Sequence, residues 1–318
     1  MTCAPAAFIS RNLMIFWGPS CFRGSLTGAS RSAITRRSPS ESCLMTQAIL
    51  LRHKAAETIA AEAAALALDY FRRRDDLVVE TKASAQDVVS RADREVEDLI
   101  RQRIAAQFPD DGYMGEEGGT QAGTSGFIWV IDPIDGTSPY LAGLPHWCVA
   151  IALLQGGETV AAVTHVPMAG EVFSACKGAG CRLNGDALQI NAAATLANAL
   201  TGVGASHRSD PAQIGAVIAH LLEAGGAFYR NGSGAIMLAS VAAGRLGAYF
   251  EPHMNAWDCL GGLLMVHEAG GITAPYCADG NFDPGGMAMA AAPHVWADLA
   301  QILAEAGYQW LDQAKTGI

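Results

Sequence analysis

Residues 127–137 read Phe-Ile-Trp-Val-Ile-Asp-Pro-Ile-Asp-Gly-Thr, an apolar run that ends abruptly in two carboxylates separated by a Pro-Ile pair. Such a run fits a buried strand, and the proline predicts that it stops at a rigid turn. Ligands in α/β folds gather at the C-terminal ends of strands, which is where Asp132 and Asp135 fall. Clustered hard oxygen donors suit Mg²⁺, which takes carboxylates, water and phosphate oxygens in preference to His or Cys. Read alone, Asp-Pro-Ile-Asp-Gly is also a turn in which either acid can cap a helix.

Two further acidic segments accompany it. Upstream, Gly115-Glu116-Glu117-Gly118-Gly119 holds a pair of acids between glycines. Downstream, Asn255-Ala256-Trp257-Asp258 is followed by an apolar run to Glu268-Ala269-Gly270-Gly271. Together the three segments resemble the Mg²⁺-dependent, lithium-sensitive phosphatase family typified by inositol monophosphatase, over roughly residues 47 to 310. That resemblance implies an α/β fold, a layered αβαβα sandwich with mixed and antiparallel sheets.

The resemblance also implies roles. Glu116, Asp132 and the carbonyl of Ile134 would hold a first Mg²⁺; Asp132, Asp135 and Asp258 a second; Glu117 a third, through water. Thr137, oriented by Asp93, would activate the attacking water, with Glu117 counted beside them as catalytic. On its own sequence context Asp93 reads as a solvated helix residue. The amides of Gly136 and Thr137 would grip phosphate at the start of a short helix. Lys82 falls where the family carries a mobile loop lysine. In Arg230-Asn231-Gly232-Ser233-Gly234-Ala235, Ser233 and Gly234 would contact the substrate, as would Glu251, seven residues before Asp258, and Asp258 itself.

Substrate choice divides the family. Gly234, Gly247 and the Ser138-Pro139-Tyr140 that follows Thr137 depart from the inositol pattern, and Leu141 to Trp147 is similar to the histidinol-phosphate branch. Glu251 favours a polyol. The expected activity is hydrolysis of inositol 1-phosphate or a similar polyol or sugar phosphate by metal-activated water. Histidinol phosphate is the alternative substrate, and an RNA-associated regulatory protein of the same fold is the alternative of another class. No basic cluster for a second phosphate is visible along the chain.

Composition sets outer limits. A chain of 318 residues, half of them apolar, can bury a large core. Its net charge of −10 argues against a nucleic-acid surface, and its apolar runs are too short to span a bilayer. Eight scattered cysteines, with no Cys-x-x-Cys, fit a reduced cytoplasmic protein with free thiols. Residues 1–44, with five arginines, one acid and many serines, read as a disordered or mis-annotated extension. Residues 45–318 read as one phosphatase domain in two tightly packed halves, about 45–195 and 196–318; relatives in the family imply a homodimer. Helices are expected over 46–74 and 87–108, an antiparallel meander over 147–176, and mixed helices and strands beyond. His146, His165 and His267, in apolar surroundings, read as core residues.

Overall fold

The computed structural model describes residues 39–74, 79–81, 88–277 and 280–308. The loop bearing Lys82, and most of the N-terminal extension, lie outside the described residues. Helix α1 (Pro39–Arg72) starts six residues ahead of Met45 and buries Ala56, Ile59, Ala60, Ala63, Ala64, Ala67 and Phe71. That spacing of three and four is one helix face. Strands β1 (Val79–Thr81) and β2 (Val88–Ser90) form a small antiparallel ribbon. Residues 88–90 are therefore a strand, and helix α2 (Arg91–Gln107) begins later than the sequence predicts.

The large sheet comprises β3 (Gly112–Gly115), β4 (Gly119–Gln121), β5 (Phe127–Asp135), β6 (Cys148–Gln155), β7 (Glu158–Val166), β8 (Glu171–Cys176), β9 (Gly180–Leu183) and β10 (Asp186–Leu188). Its spatial order is β10-β9-β8-β7-β6-β5-β3-β4, antiparallel throughout except where β3 runs parallel to β5. The predicted meander is present. Helix α3 (Thr137–Leu141) links β5 to β6.

The small sheet draws on β11 (Leu200–Val203), β12 (Ala227–Tyr229), β13 (Ala248–Met254), β14 (Ile272–Thr273) and β15 (Gly286–Ala291), in the order β12-β11-β13-β15-β14. Helices α4 (Pro211–Glu223), α5 (Gly234–Ala242), α6 (Ala256–Glu268) and α7 (Pro293–Glu305) alternate with these strands.

Packing then fixes the layers. Helices α1 and α2 cover one face of the large sheet, α5 and α6 lie between the two sheets, and α4 and α7 cover the far face of the small sheet. This is the αβαβα sandwich. Strand β5 is buried along almost its whole length because helices cover both of its faces. In the middle layer α5 and α6 approach as closely as glycine allows: a Cβ on Gly262 would stand 2.4 Å from the Cβ of Leu238. His267 is exposed on the last turn of α6, contrary to its expected place in the core, because the apolar face of that helix points elsewhere. Among the described residues, no helix is long and apolar enough to cross a membrane, and Cys148, Cys176, Cys181, Cys259 and Cys277 are free thiols.

Candidate active site

Asp132 and Asp135 are three residues apart, so a regular strand would send them to opposite faces. One extra residue in β5 prevents this. Asp132 stands opposite Ala150 and Asp135 opposite Cys148, so three steps along β5 match two along β6. The bulge falls at Pro133-Ile134, where proline has no N–H to give to the ladder. The strand does not stop at Pro133, as the sequence predicts; it runs through the bulge to Asp135. The Ile134 amide turns back to donate to Asp132 Oδ1 at 3.0 Å.

Asp258 joins these two from the first turn of α6. One carboxylate oxygen from each of Asp132, Asp135 and Asp258 lies within 4.8 Å of the others. The two readings of Asp258, helix cap and ligand, are both true of its position: its Oδ2 accepts from the Asn255 amide at 3.0 Å while the carboxylate belongs to the cluster. The cluster opens into a cavity of about 190 Å³ lined by Glu116, Ile134, Gly136, Thr137, Ser233, Gly234 and Glu251, among others. Every position predicted for the first two metals, and every predicted substrate position, is therefore on one cavity wall or another. Of the predicted residues, Asp93 and Glu117 do not line it.

Asp93 is fully buried in the first turn of α2, not solvated, and its Oδ1 lies 3.3 Å from the Thr137 hydroxyl. The same hydroxyl reaches the Ile134 carbonyl at 3.1 Å. Glu117 sits in the β3–β4 turn, where its amide and that of Gly118 donate to the buried Glu97 carboxylate at 2.8 and 2.7 Å. Glu97 thus anchors the turn that presents Glu116. Gly136, at φ 91°, gives the chain its left-handed turn into α3. A Cβ there would meet the His146 carbonyl oxygen at 2.6 Å.

Ser233 caps α5, accepting from the Ile236 amide at 3.2 Å, and donates its proton to Asp135. Gly234 and Ala235 amides donate to Asp135 at 3.2 and 2.8 Å, and the Cys148 thiol lies 3.6 Å away. Asp135 is thereby pinned to the N-terminus of α5, a favourable place for a carboxylate. Glu251 accepts from the buried Tyr249 hydroxyl. Glu97, Cys148 and Tyr249 carry no motif, and only the folded chain brings them to the site.

Burial, with Glu116 and the neighbouring aspartates adding repulsion, pushes the Asp132 carboxyl well above its usual range. Burial likewise raises Asp135, against the hydrogen bonds from Ser233 and Ala235. Asp258 is pushed up to about 7 by burial and by Asp135. Glu251 is also pushed up to about 7 by burial, partly offset by Tyr249 and Arg230. Carboxylates this crowded and desolvated repel one another when ionised, and an all-oxygen donor set of this charge fits a hard divalent cation.

The match to known proteins is broad. Residues 52–309 fit the model of the inositol monophosphatase family. An inositol-1-monophosphatase of Rhizobium meliloti is 38% identical over 204 residues, 63% of this chain and 76% of that protein. A Nus factor SuhB of Xylella fastidiosa is 41% identical over 196 residues, 61% of this chain and 70% of that protein. Among solved structures, an inositol monophosphatase of Thermotoga maritima aligns with a TM-score of 0.70 at 27% identity, over 78% of this chain and 95% of that one. With the family's acidic segments gathered at one cavity inside a matching αβαβα sandwich, the chain belongs to the inositol monophosphatase family.

Proposed function

We propose that this chain is a Mg²⁺-dependent phosphomonoesterase acting on inositol 1-phosphate or a similar polyol or sugar phosphate. The observation that carries this reading is the convergence of the buried Asp132 and Asp135 with the half-buried Asp258 within 4.8 Å, at a cavity that also holds Glu116, Thr137 and Glu251. Glu116, Asp132 and the Ile134 carbonyl would hold one Mg²⁺; Asp132, Asp135 and Asp258 a second; Glu117 a third. Bound metal would neutralise the phosphoryl oxygens, lower the pKa of water and stabilise the leaving alkoxide. Thr137 has one proton and two acceptors, Asp93 and Ile134 O, so its lone pairs remain to accept from the attacking water. Asp93 fixes that orientation. Amides at Gly136 and Thr137 would receive the phosphate, and Ser233 and Gly234 hold Asp135 in place as the substrate is bound. Glu251 would accept from polyol hydroxyls.

The fuller reading is a cytoplasmic homodimer, inhibited by lithium. Histidinol phosphate is the alternative substrate. A second reading of another class rests on relatives named Nus factor SuhB, a name that points to transcription partners. That name leaves the expected absence of a nucleic-acid partner without support.

The test is phosphate release from inositol 1-phosphate and histidinol phosphate, with and without Mg²⁺, against an Asp135→Asn control. Mg²⁺-dependent release from the inositol ester, lost in the control, supports the reading. Preference for histidinol phosphate overturns the role of Glu251, and no release from either ester favours the second class.

A further inference from the structure

The glycines of Gly115-Glu116-Glu117-Gly118-Gly119 have a reason that lies in helix α2. Neither Gly115 nor Gly118 adopts a positive φ, so the backbone alone does not demand them. Space does. A Cβ on Gly115 would stand 2.4 Å from Oε1 of Glu97. A Cβ on Gly118 would stand 2.4 Å from the same oxygen and 2.2 Å from Nη1 of Arg101. The turn is wrapped tightly around one carboxylate, and Glu97 is only 1% exposed.

Both oxygens of that carboxylate are used. Oε2 accepts from the Glu117 amide at 2.8 Å and Oε1 from the Gly118 amide at 2.7 Å. Hydrogen bonds to an ionised acceptor are among the strong ones, and two from neighbouring amides fix the turn in one orientation. On the other side, the Glu116 amide donates to the Ile131 carbonyl of β5 at 3.2 Å. Glu116 is thus held between β5 and α2, and it lines the cavity. Glu97 also follows Asp93 by four residues, which puts the two on one face of α2. Asp93 reaches Thr137, and Glu97 reaches the Glu116 turn one helical turn further on. One helix face therefore places two separate parts of the site.

We propose that Glu97 is a positioning residue for divalent-cation binding, holding Glu116 at the cavity before any ion arrives. A ligand fixed in advance leaves less ordering to be done on binding, so the ion is held more tightly. This rests on the reading of the acidic cluster as a Mg²⁺ site.

Glu97→Gln keeps the size of the side chain, but it offers an acceptor to one amide and turns an NH₂ group on the other. Calorimetric titration of Mg²⁺ into chelator-treated protein is expected to show binding weakened by about tenfold or more. Hydrogen exchange at the Glu117 and Gly118 amides of the metal-free protein should quicken in step. Gly118→Ala displaces the same carboxylate from the opposite side, with the same two changes expected, and it decides the matter if Glu97→Gln does not fold. Ile100→Ala truncates a buried core residue of the same helix and controls for lost stability. Its Tm should fall while its Mg²⁺ affinity stays at the parent's value. Parent-like affinity in Glu97→Gln (or in Gly118→Ala, where the first does not fold) overturns the positioning role. So does an equal weakening in Ile100→Ala. Both results leave the Mg²⁺ reading standing. A parent protein that takes up no Mg²⁺ removes that reading, and the proposal with it.

Discussion

The hydroxyl of Ser233 performs two tasks, accepting from the Ile236 amide and donating to Asp135. Ser233→Ala removes both. The lost cap is expected to cost about 1 kcal/mol of stability, read by urea denaturation. Asp135 also loses a buried donor, so Mg²⁺-dependent activity should fall by more than the lost stability explains; unchanged activity would limit Ser233 to capping. Gly136→Ala acts through the backbone. At φ 91°, with the His146 carbonyl 2.6 Å from the new Cβ, it is expected to cost about 1–3 kcal/mol and to move Thr137 off Asp93. A variant as stable and active as the parent would show that the turn tolerates a side chain.

At the scale of elements, α1 is tied to the large sheet by a polar clamp. Asp111 receives Arg52 at both oxygens, at 2.8 Å each, together with Ser125 at 2.6 Å and the Trp129 indole at 2.9 Å. Arg52 stacks over Phe108 and Phe127. Asp111→Ala leaves the guanidinium without its partner and is expected to destabilise by about 3–5 kcal/mol in urea unfolding. A loss below 1 kcal/mol would mean that the clamp is solvated. Nothing in the sequence around Arg52 announces this contact, 59 residues away. The same division runs through the site. Glu116, Asp132, Asp135 and Asp258 stand out in the sequence through the resemblance of their three segments to the family's; on local chemistry alone the aspartates read equally as turn or cap residues. The bulge that turns Asp132 and Asp135 the same way was not legible, since the phase of β5 is set by its partner β6. The place of Arg230 on the cavity wall is not legible for a related reason: the parallel pairing of β11 and β12 brings it beside Ala205, and no spacing along the chain records that. Asp93 lay between, solvated by its local pattern and buried by the packing of α2.

Over the whole molecule, buried acids with raised pKa values couple folding to pH, four of them at the cavity. Asp258 and Glu251 ionise at ordinary values of 3.8 and 4.5 when unfolded, and near 7 when folded. Between these limits the folded chain binds more protons than the unfolded one, so the metal-free protein loses stability as pH rises from about 4 to about 7. Asp132 and Asp135, raised in the same direction, add to the trend. Asp111 acts oppositely at the acid end: its hydrogen bonds from Arg52, Ser125 and Trp129 outweigh burial and hold its carboxyl low, so its contribution is lost only as pH falls further. A divalent cation replaces the protons that the cluster otherwise needs, and a ligand bound only by the folded state stabilises by mass action. The rise in Tm on adding Mg²⁺ to chelator-treated protein is therefore expected to be larger at pH 8 than at pH 5. It should shrink at both values in Asp135→Asn, where one of the converging carboxylates is gone. A rise independent of pH, or equal in the variant, would place the cation away from these carboxylates and remove the physical basis for reading them as the catalytic centre.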